Sequence, residues 1–303
     1  TPFIAVVAFL QQQQQGGINI PAVNPLKKLF TTKSIALKKI AIFSILPAFF
    51  FSMSACAQKK ETTSHERKLG WSDEFNYTGL PDSTKWSYDT GGHGWGNNEK
   101  QYYTQKKTEN ASVKNGVLRI TAVKENFGGA SYTSARLVSK NKGDWKYGRF
   151  EIRAKMPKGR GLWPAIWMLP TDWKYGDWPV SGEIDIMEHV GYLPDSVFGT
   201  VHTGAYNHSI GTQKGAETFR TDLSEAFHVY VLDWDENEIR IYIDDELYFT
   251  FKNEKKTHKE WPFDQRFHLL MNIAVGGNWG GTMGIDESVF PQTMEVDYVR
   301  VYQ

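Results

Sequence analysis

The sequence predicts an all-β chain folded as a sandwich of two large antiparallel sheets. Short runs of β-branched and aromatic residues recur along it, separated by clusters of Gly, Asn, Asp and Pro. Few windows carry the 3.6-residue apolar period of a helix. With roughly a dozen or more such runs in one domain and no internal repeat, a sandwich fits better than a propeller. A curved sandwich offers a long concave cleft, and such a face suits a polymer.

Taken in order, the runs are Val117 to Val123, Gly148 to Met156, Ser196 to His202, His228 to Trp234, Glu238 to Asp244, Leu247 to Phe251, His268 to Val275 and Met294 to Tyr302. The stretch from His228 to Phe251 gives the clearest topology. Its three alternating runs are joined by the turn-forming groups Asp235 to Asn237 and Asp244 to Glu246, which predicts a meander.

The N-terminal part reads differently. Lys38 and Lys39, the apolar run Ile40 to Met53 and the small pair Ser54 and Ala55 follow the charged, apolar and small-residue order of a signal peptide. The run is about 14 residues, shorter than the roughly 20 that a spanning helix needs. The only cysteine, Cys56, has no partner for a disulfide within the chain and directly follows the small residues, which resembles a bacterial lipobox. Met53 stands where Leu is usual, and simple cleavage nearby is the competing reading. Residues 1–56 are therefore expected to be a disordered or artefactual leader followed by a lipoprotein-type signal. Residues 57–68, polar and charged, are expected to form a tether, and residues 69–303 one catalytic domain.

Lys and Arg number 35 against 34 for Asp and Glu, with no block of one sign, so a nucleic-acid partner is not expected. The 11 Trp exceed what a core of this size needs, and some are expected to face a ligand.

The chemistry concentrates in Gly182-Glu183-Ile184-Asp185-Ile186-Met187-Glu188. Strict alternation puts Glu183 and Asp185 on one face and turns Ile184 and Ile186 inward. Period two would then drive Glu188 into the core, where an unpaired carboxylate is costly. A one-residue bulge at Ile186 or Met187 returns Glu188 to the acidic face. The two Glu then stand about 13 Å apart between Cα atoms, a gap that converging side chains close to about 5 Å. That is near the ~5–5.5 Å of a retaining glycosidase and below the ~6.5–9.5 Å of an inverting one. Crowded carboxyls cannot all ionise cheaply, so one should keep a proton, with Asp185 biasing which. An exposed acidic edge or a calcium site is the bland alternative.

These residues resemble glycoside hydrolase family 16, whose bulged signature of Glu, any, Asp, any, any, Glu stands here as Glu183, Asp185 and Glu188. The likeness runs from Trp71 to Tyr302. Gly94-Trp95-Gly96-Asn97-Asn98-Glu99, Gly161-Leu162-Trp163-Pro164-Ala165-Ile166-Trp167 and Gly276-Gly277-Asn278-Trp279 are similar to the laminarinases, which are endo-1,3-β-glucanases. The resemblance implies a jelly roll, Glu183 as nucleophile, Glu188 as acid/base and no cofactor for catalysis.

Trp163 and Trp167, four apart on a strand, share one face and could stack on successive sugars. Trp279, in a Gly-rich loop, is expected beside them, with core packing as the alternative for each. The resemblance further implies Asn97 and Arg136 as polar subsite residues and His202 as a histidine near the leaving group. The competing readings are a surface ion pair for Arg136 and a satisfied structural histidine for His202. It also implies a possible structural calcium held through Glu74, Gly116 and Asp297, an oxygen-only set suited to that ion. The expected partner is β-glucan, met by a monomer whose membrane contact is only through a lipid on Cys56 at the bacterial outer membrane or cell surface; otherwise the protein is secreted. A mixed-linkage glucanase, an agarase-like galactan hydrolase, a transglycosylase and a catalytically silent glycan-binding module are the rivals.

Overall fold

The computed structural model describes residues 67–303. The expected leader, signal and Cys56 lie outside the described residues, as does most of the tether. Arg67 and Lys68, expected at the end of the tether, are bound to the folded body: Arg67 Nη1 donates to Asp233 Oδ1 at 2.5 Å and Lys68 N to Gln303 O at 2.8 Å.

Eighteen strands follow in chain order: β1 Leu69–Asp73, β2 Ser87–Asp89, β3 Gln101–Tyr103, β4 Ala111–Lys114, β5 Val117–Phe127, β6 Ala130–Ser134, β7 Arg136–Val138, β8 Asp144–Trp145 and β9 Gly148–Lys155. The second half comprises β10 Leu162–Pro170, β11 Glu183–Glu188, β12 Ser196–His202, β13 Lys214–Phe219, β14 His228–Trp234, β15 Glu238–Ile243, β16 Glu246–Lys252, β17 Phe267–Val275 and β18 Gln292–Tyr302. Among the described residues no helix is long and apolar enough to cross a membrane.

Ten strands form one sheet in the order β16-β15-β14-β9-β18-β5-β6-β3, with β1 on β18 and β4 on β5. Eight form the other, in the order β13-β12-β11-β10-β17-β7-β2, with β8 on β17. The pairing is antiparallel except for β3 with β6, which is parallel. The expected meander is β14-β15-β16, and Asp235 closes its first turn by accepting from Asn237 N and Glu238 N.

Alternation explains why these segments pair and stack. In β9, Phe150, Ile152 and Ala154 are buried while Arg149, Glu151, Arg153 and Lys155 remain partly exposed. In β10, Leu162, Ile166 and Met168 enter the core between the sheets, whereas Trp163, Ala165, Trp167 and Leu169 line a cleft on the other face. β17, its neighbour, is buried at every position. Its Leu269, Met271 and Ile273 fill the core, and Asn272 and Ala274 look into the cleft. Truncating one of these core side chains to alanine costs about 2–5 kcal/mol. The eight-stranded sheet is thus a rigid floor for the cleft.

Candidate active site

The site begins with an irregularity in β11. Against β10, Met187 pairs with Ile166 and Asp185 with Trp167; against β12, Glu188 pairs with Phe198 and Asp185 with Thr200. Ile186 is skipped on both sides, so the extra residue sits there, one of the two positions the alternation allowed. Ile184, Ile186 and Met187 are fully buried, and Glu183, Asp185 and Glu188 all line the cleft.

Each outer carboxyl has its own indole donor. Trp178 Nε1 donates to Glu183 Oε2 at 2.8 Å, and Trp163 Nε1 donates to Glu188 Oε1 at 3.0 Å. Asp185 lies within hydrogen-bonding reach of Glu183. His202 Nε2 stands 3.4 Å from Asp185 Oδ2 and 3.9 Å from Glu183 Oε1. Among the described residues no Lys or Arg forms an ion pair with any of the three acids.

Burial without a cation dominates the electrostatics. It pushes Glu183 up to about 8, helped by the charge of Asp185 and opposed by His202. It pushes Glu188 up to about 7, with His202 pulling back and Glu183 adding to the rise. Asp185 rises well above the ordinary aspartate range, again through burial first and Glu188 second. The three carboxyls therefore share protons as one unit. A proton on Asp185 that points to Glu183 stabilises the Glu183 anion. Glu183, Asp185 and His202 also bring ligand-type atoms within 4.8 Å of one another, close enough for a cation. The raised proton affinity of the two carboxyls favours the proton-sharing arrangement.

The cleft encloses about 410 Å³, within the usual range for a ligand site. Trp163, Trp167, Asn97 and Arg136 line it as expected. Arg136 is only 9% exposed, with its guanidinium 4.6 Å from the Trp95 ring centroid and 4.7 Å from that of Trp167. Its Nε lies 3.1 Å from Asp89 Oδ2, so the ion pair weighed as the alternative exists, but inside the cleft wall. Trp279 is not among the lining residues. It packs edge-on against Trp163 at 5.5 Å and Phe198 at 5.0 Å. His202, also absent from the lining, is buried beside the acids.

Several site residues escaped the sequence reading. Trp167 Nε1 donates to Asn272 Oδ1 at 2.7 Å, Asn272 Nδ2 to the Tyr103 hydroxyl at 3.0 Å, and that hydroxyl to Glu99 Oε2 at 3.3 Å. Gln101 Nε2 also reaches Glu99, at 2.6 Å. Burial raises Glu99. Glu99 stood in a motif already noted, and its position next to the glycine-rich loop was the available signal. Trp178 and His208 face each other at 4.9 Å; Trp178 comes from a loop and His208 opens the three-residue 3₁₀ turn His208–Ile210, both too short or irregular to carry a period.

The positions matched to a calcium site converge in the backbone. β1 and β5 both pair with the edge of β18 that faces away from β9, β1 at Asp73 with Val299 and β5 at Leu118 with Val296. Asp297 falls in the gap between them as a bulge, skipped between Val296 and Tyr298. Glu74 directly follows β1 and Gly116 directly precedes β5. The three positions thus lie on or next to neighbouring strands, and oxygen donors of this kind are the chemistry calcium takes. Arg153 Nη1, 2.6 Å from Asp297 Oδ2, would have to yield the carboxylate, while Glu74 is held by Arg300 through its side chain and offers its carbonyl.

An aromatic-walled cleft over desolvated carboxyls, two of them with separate hydrogen-bond donors, defines a carbohydrate-cleaving enzyme of the two-carboxylate class. The family model described as glycosyl hydrolases family 16 matches residues 98–300, and the chain belongs to that family. It is 60% identical over 247 residues to a beta-glucanase of Rhodothermus marinus, covering 78% of this chain and 85% of the relative. The X-ray structure of the laminarinase from Rhodothermus marinus superposes with a TM-score of 0.77 at 57% identity, over 78% of this chain and 97% of that one. SCLam, a non-specific endo-beta-1,3(4)-glucanase, superposes at 0.76 with 48% identity, over 79% and 92%.

Proposed function

We propose that this glycoside hydrolase cleaves β-1,3-glucan internally and with retention of configuration. The observation that carries the reading is the Ile186 bulge, which turns Glu183 and Glu188 to one cleft face, each under its own indole N–H. Glu183 forms a bond to the anomeric carbon as the glycosidic C–O bond breaks, and Glu188 gives its proton to the departing oxygen. Water then attacks the same carbon, Glu188 takes the water's proton, and Glu183 leaves as the carboxylate. Asp185 and His202 hold the charge of Glu183 during the cycle. Trp167, Arg136 and Asn97 bind sugar rings and hydroxyls along the cleft, and Trp279 backs Trp163.

Incubation with laminarin, mixed-linkage glucan and agarose side by side tests the reading. The expected result is rapid endo-cleavage of laminarin with products first released as the β-anomer. Products of the α-anomer, or agarose as the preferred polymer, would overturn it. Tolerance of mixed 1,3-1,4 linkages is a second reading, favoured by the likeness to a non-specific relative. Retention of all three acids argues against a silent binding module, and oligosaccharides longer than the substrate would reveal transglycosylation.

Calcium binding at Glu74, Gly116 and Asp297 belongs to the same reading; a chelator should lower Tm by about 2–4 °C, with calcium restoring it. No redox or organic cofactor enters the scheme. The signal-like order before Cys56 supports export and lipid attachment at that cysteine. Cys56→Ala should then release the protein from the membrane fraction.

A further inference from the structure

We propose that Tyr248 is a positioning residue for the catalytic pair, reaching across the sandwich to hold the Ile186 bulge in shape. The inference rests on the assignment of Glu183 and Glu188 above and adds a residue from the opposite sheet to it.

Three observations meet at this point. Ile186, skipped by both neighbouring strands, leaves a backbone carbonyl at the bulge, and the Tyr248 hydroxyl donates to it at 3.3 Å. Tyr248 is itself the skipped residue of a second bulge, because β16 pairs Leu247 with Tyr242 and Phe249 with Ile241. Two irregular strands in opposite sheets thus face one another through a single hydrogen bond. Gly199 lies on β12 between Phe198 and Thr200, the partners of Glu188 and Asp185. A Cβ there would stand 2.7 Å from the Tyr248 hydroxyl and 3.1 Å from its ring. The glycine keeps the space the tyrosine needs.

The chemistry suits a fixed strut. Burial raises the phenol far above its ordinary value, and the charges of Glu188 and Asp185 add to the rise, so the hydroxyl stays a donor at any working pH. A buried carbonyl at a bulge needs such a donor. Without it the peptide that carries Ile186 is free to rotate, and Glu188, two residues on, loses its aim. Displacement of a catalytic group by a fraction of an ångström slows the chemical step while leaving distant sugar contacts intact.

The test is Tyr248→Phe in the otherwise unchanged full chain, assayed on laminarin and checked by circular dichroism. The expected result is a kcat about 5- to 10-fold lower, the size of one lost hydrogen bond, with KM within about twofold. Tyr230→Phe is the control, since it removes a buried hydroxyl of the opposite sheet that has no hydrogen-bond partner; its kcat should not change. Gly199→Ala should reproduce the kcat loss by displacing Tyr248, and combining it with Tyr248→Phe should add little. Wild-type kcat in a folded Tyr248→Phe enzyme, or full additivity in the double variant, overturns the proposal. If the unsubstituted enzyme fails to cleave laminarin, it is the glucanase reading that falls.

Discussion

Strands β11 and β18 use the same backbone device for opposite ends. Each carries one skipped residue that re-aims an acidic side chain, at Ile186 in β11 and at Asp297 in β18. On β18 the carboxylate meets Arg153, and nearby Glu74 is gripped by both arms of Arg300 at 2.9 and 2.8 Å. The Arg300 hydrogen bonds hold Glu74 below the usual carboxylate range. On β11 the acids meet indoles, a histidine and one another, and all three are pushed up. What separates a reactive carboxyl from a structural one here is deep burial with no Lys or Arg among the described residues to pair with, not the residue type.

The sharpest way to break this comparison is to remove the reactive acids. Glu183→Gln should lower kcat on laminarin by about four orders of magnitude or more, and Glu188→Gln by about 10²–10⁴-fold, with both proteins folded. Appreciable turnover by the first would sink the nucleophile assignment. A smaller effect is expected from the cleft wall: Trp167→Ala removes a stacking ring and one face of the Arg136 sandwich, and should raise KM about 10-fold with kcat less affected.

Proton linkage gives a third contrast. Because the folded state holds Glu183 up to about 8 and Glu188 up to about 7, it binds more protons than the unfolded chain from the ordinary carboxyl range up to those values. Stability should therefore fall as pH rises through that window. The Gln variants should lose part of that slope, so their Tm at pH 8 should exceed the wild type's. Differential scanning calorimetry across pH checks the sign. The smallest effect belongs to the outer face. Glu74→Gln should cost below about 1 kcal/mol, only above the ordinary carboxyl range, and leave kcat unchanged.

Much of this was legible in the residues themselves. Strand ends at Ser196, His202, His228 and Trp234 fall where the alternation put them, because half-buried antiparallel strands write their two faces into the sequence. The bulge was legible for the same reason, as a carboxylate at a core position demands a break in the pattern. Short strands such as β2, β3 and β7 left no such trace, since three residues cannot display a period. Trp178 was missed because a loop places it, His208 because it stands in a single 3₁₀ turn, and Tyr248 because its role exists only once two sheets are stacked. The parallel contact of β3 with β6 was likewise invisible, being a long-range choice that no local pattern encodes.

The exchange of backbone hydrogen bonds between Lys68 and Gln303, at 2.8 and 3.0 Å, has a practical meaning. Since the first and last strands of the domain finish side by side, a brief glycine bridge could join them and turn the polypeptide into a closed loop. The loop could then be reopened at the exposed Gly128-Gly129 hairpin, giving a rearranged gene order with every strand neighbour preserved. The architecture would survive such relabelling because its strands are held by neighbours in space rather than by the sequence in which they are made.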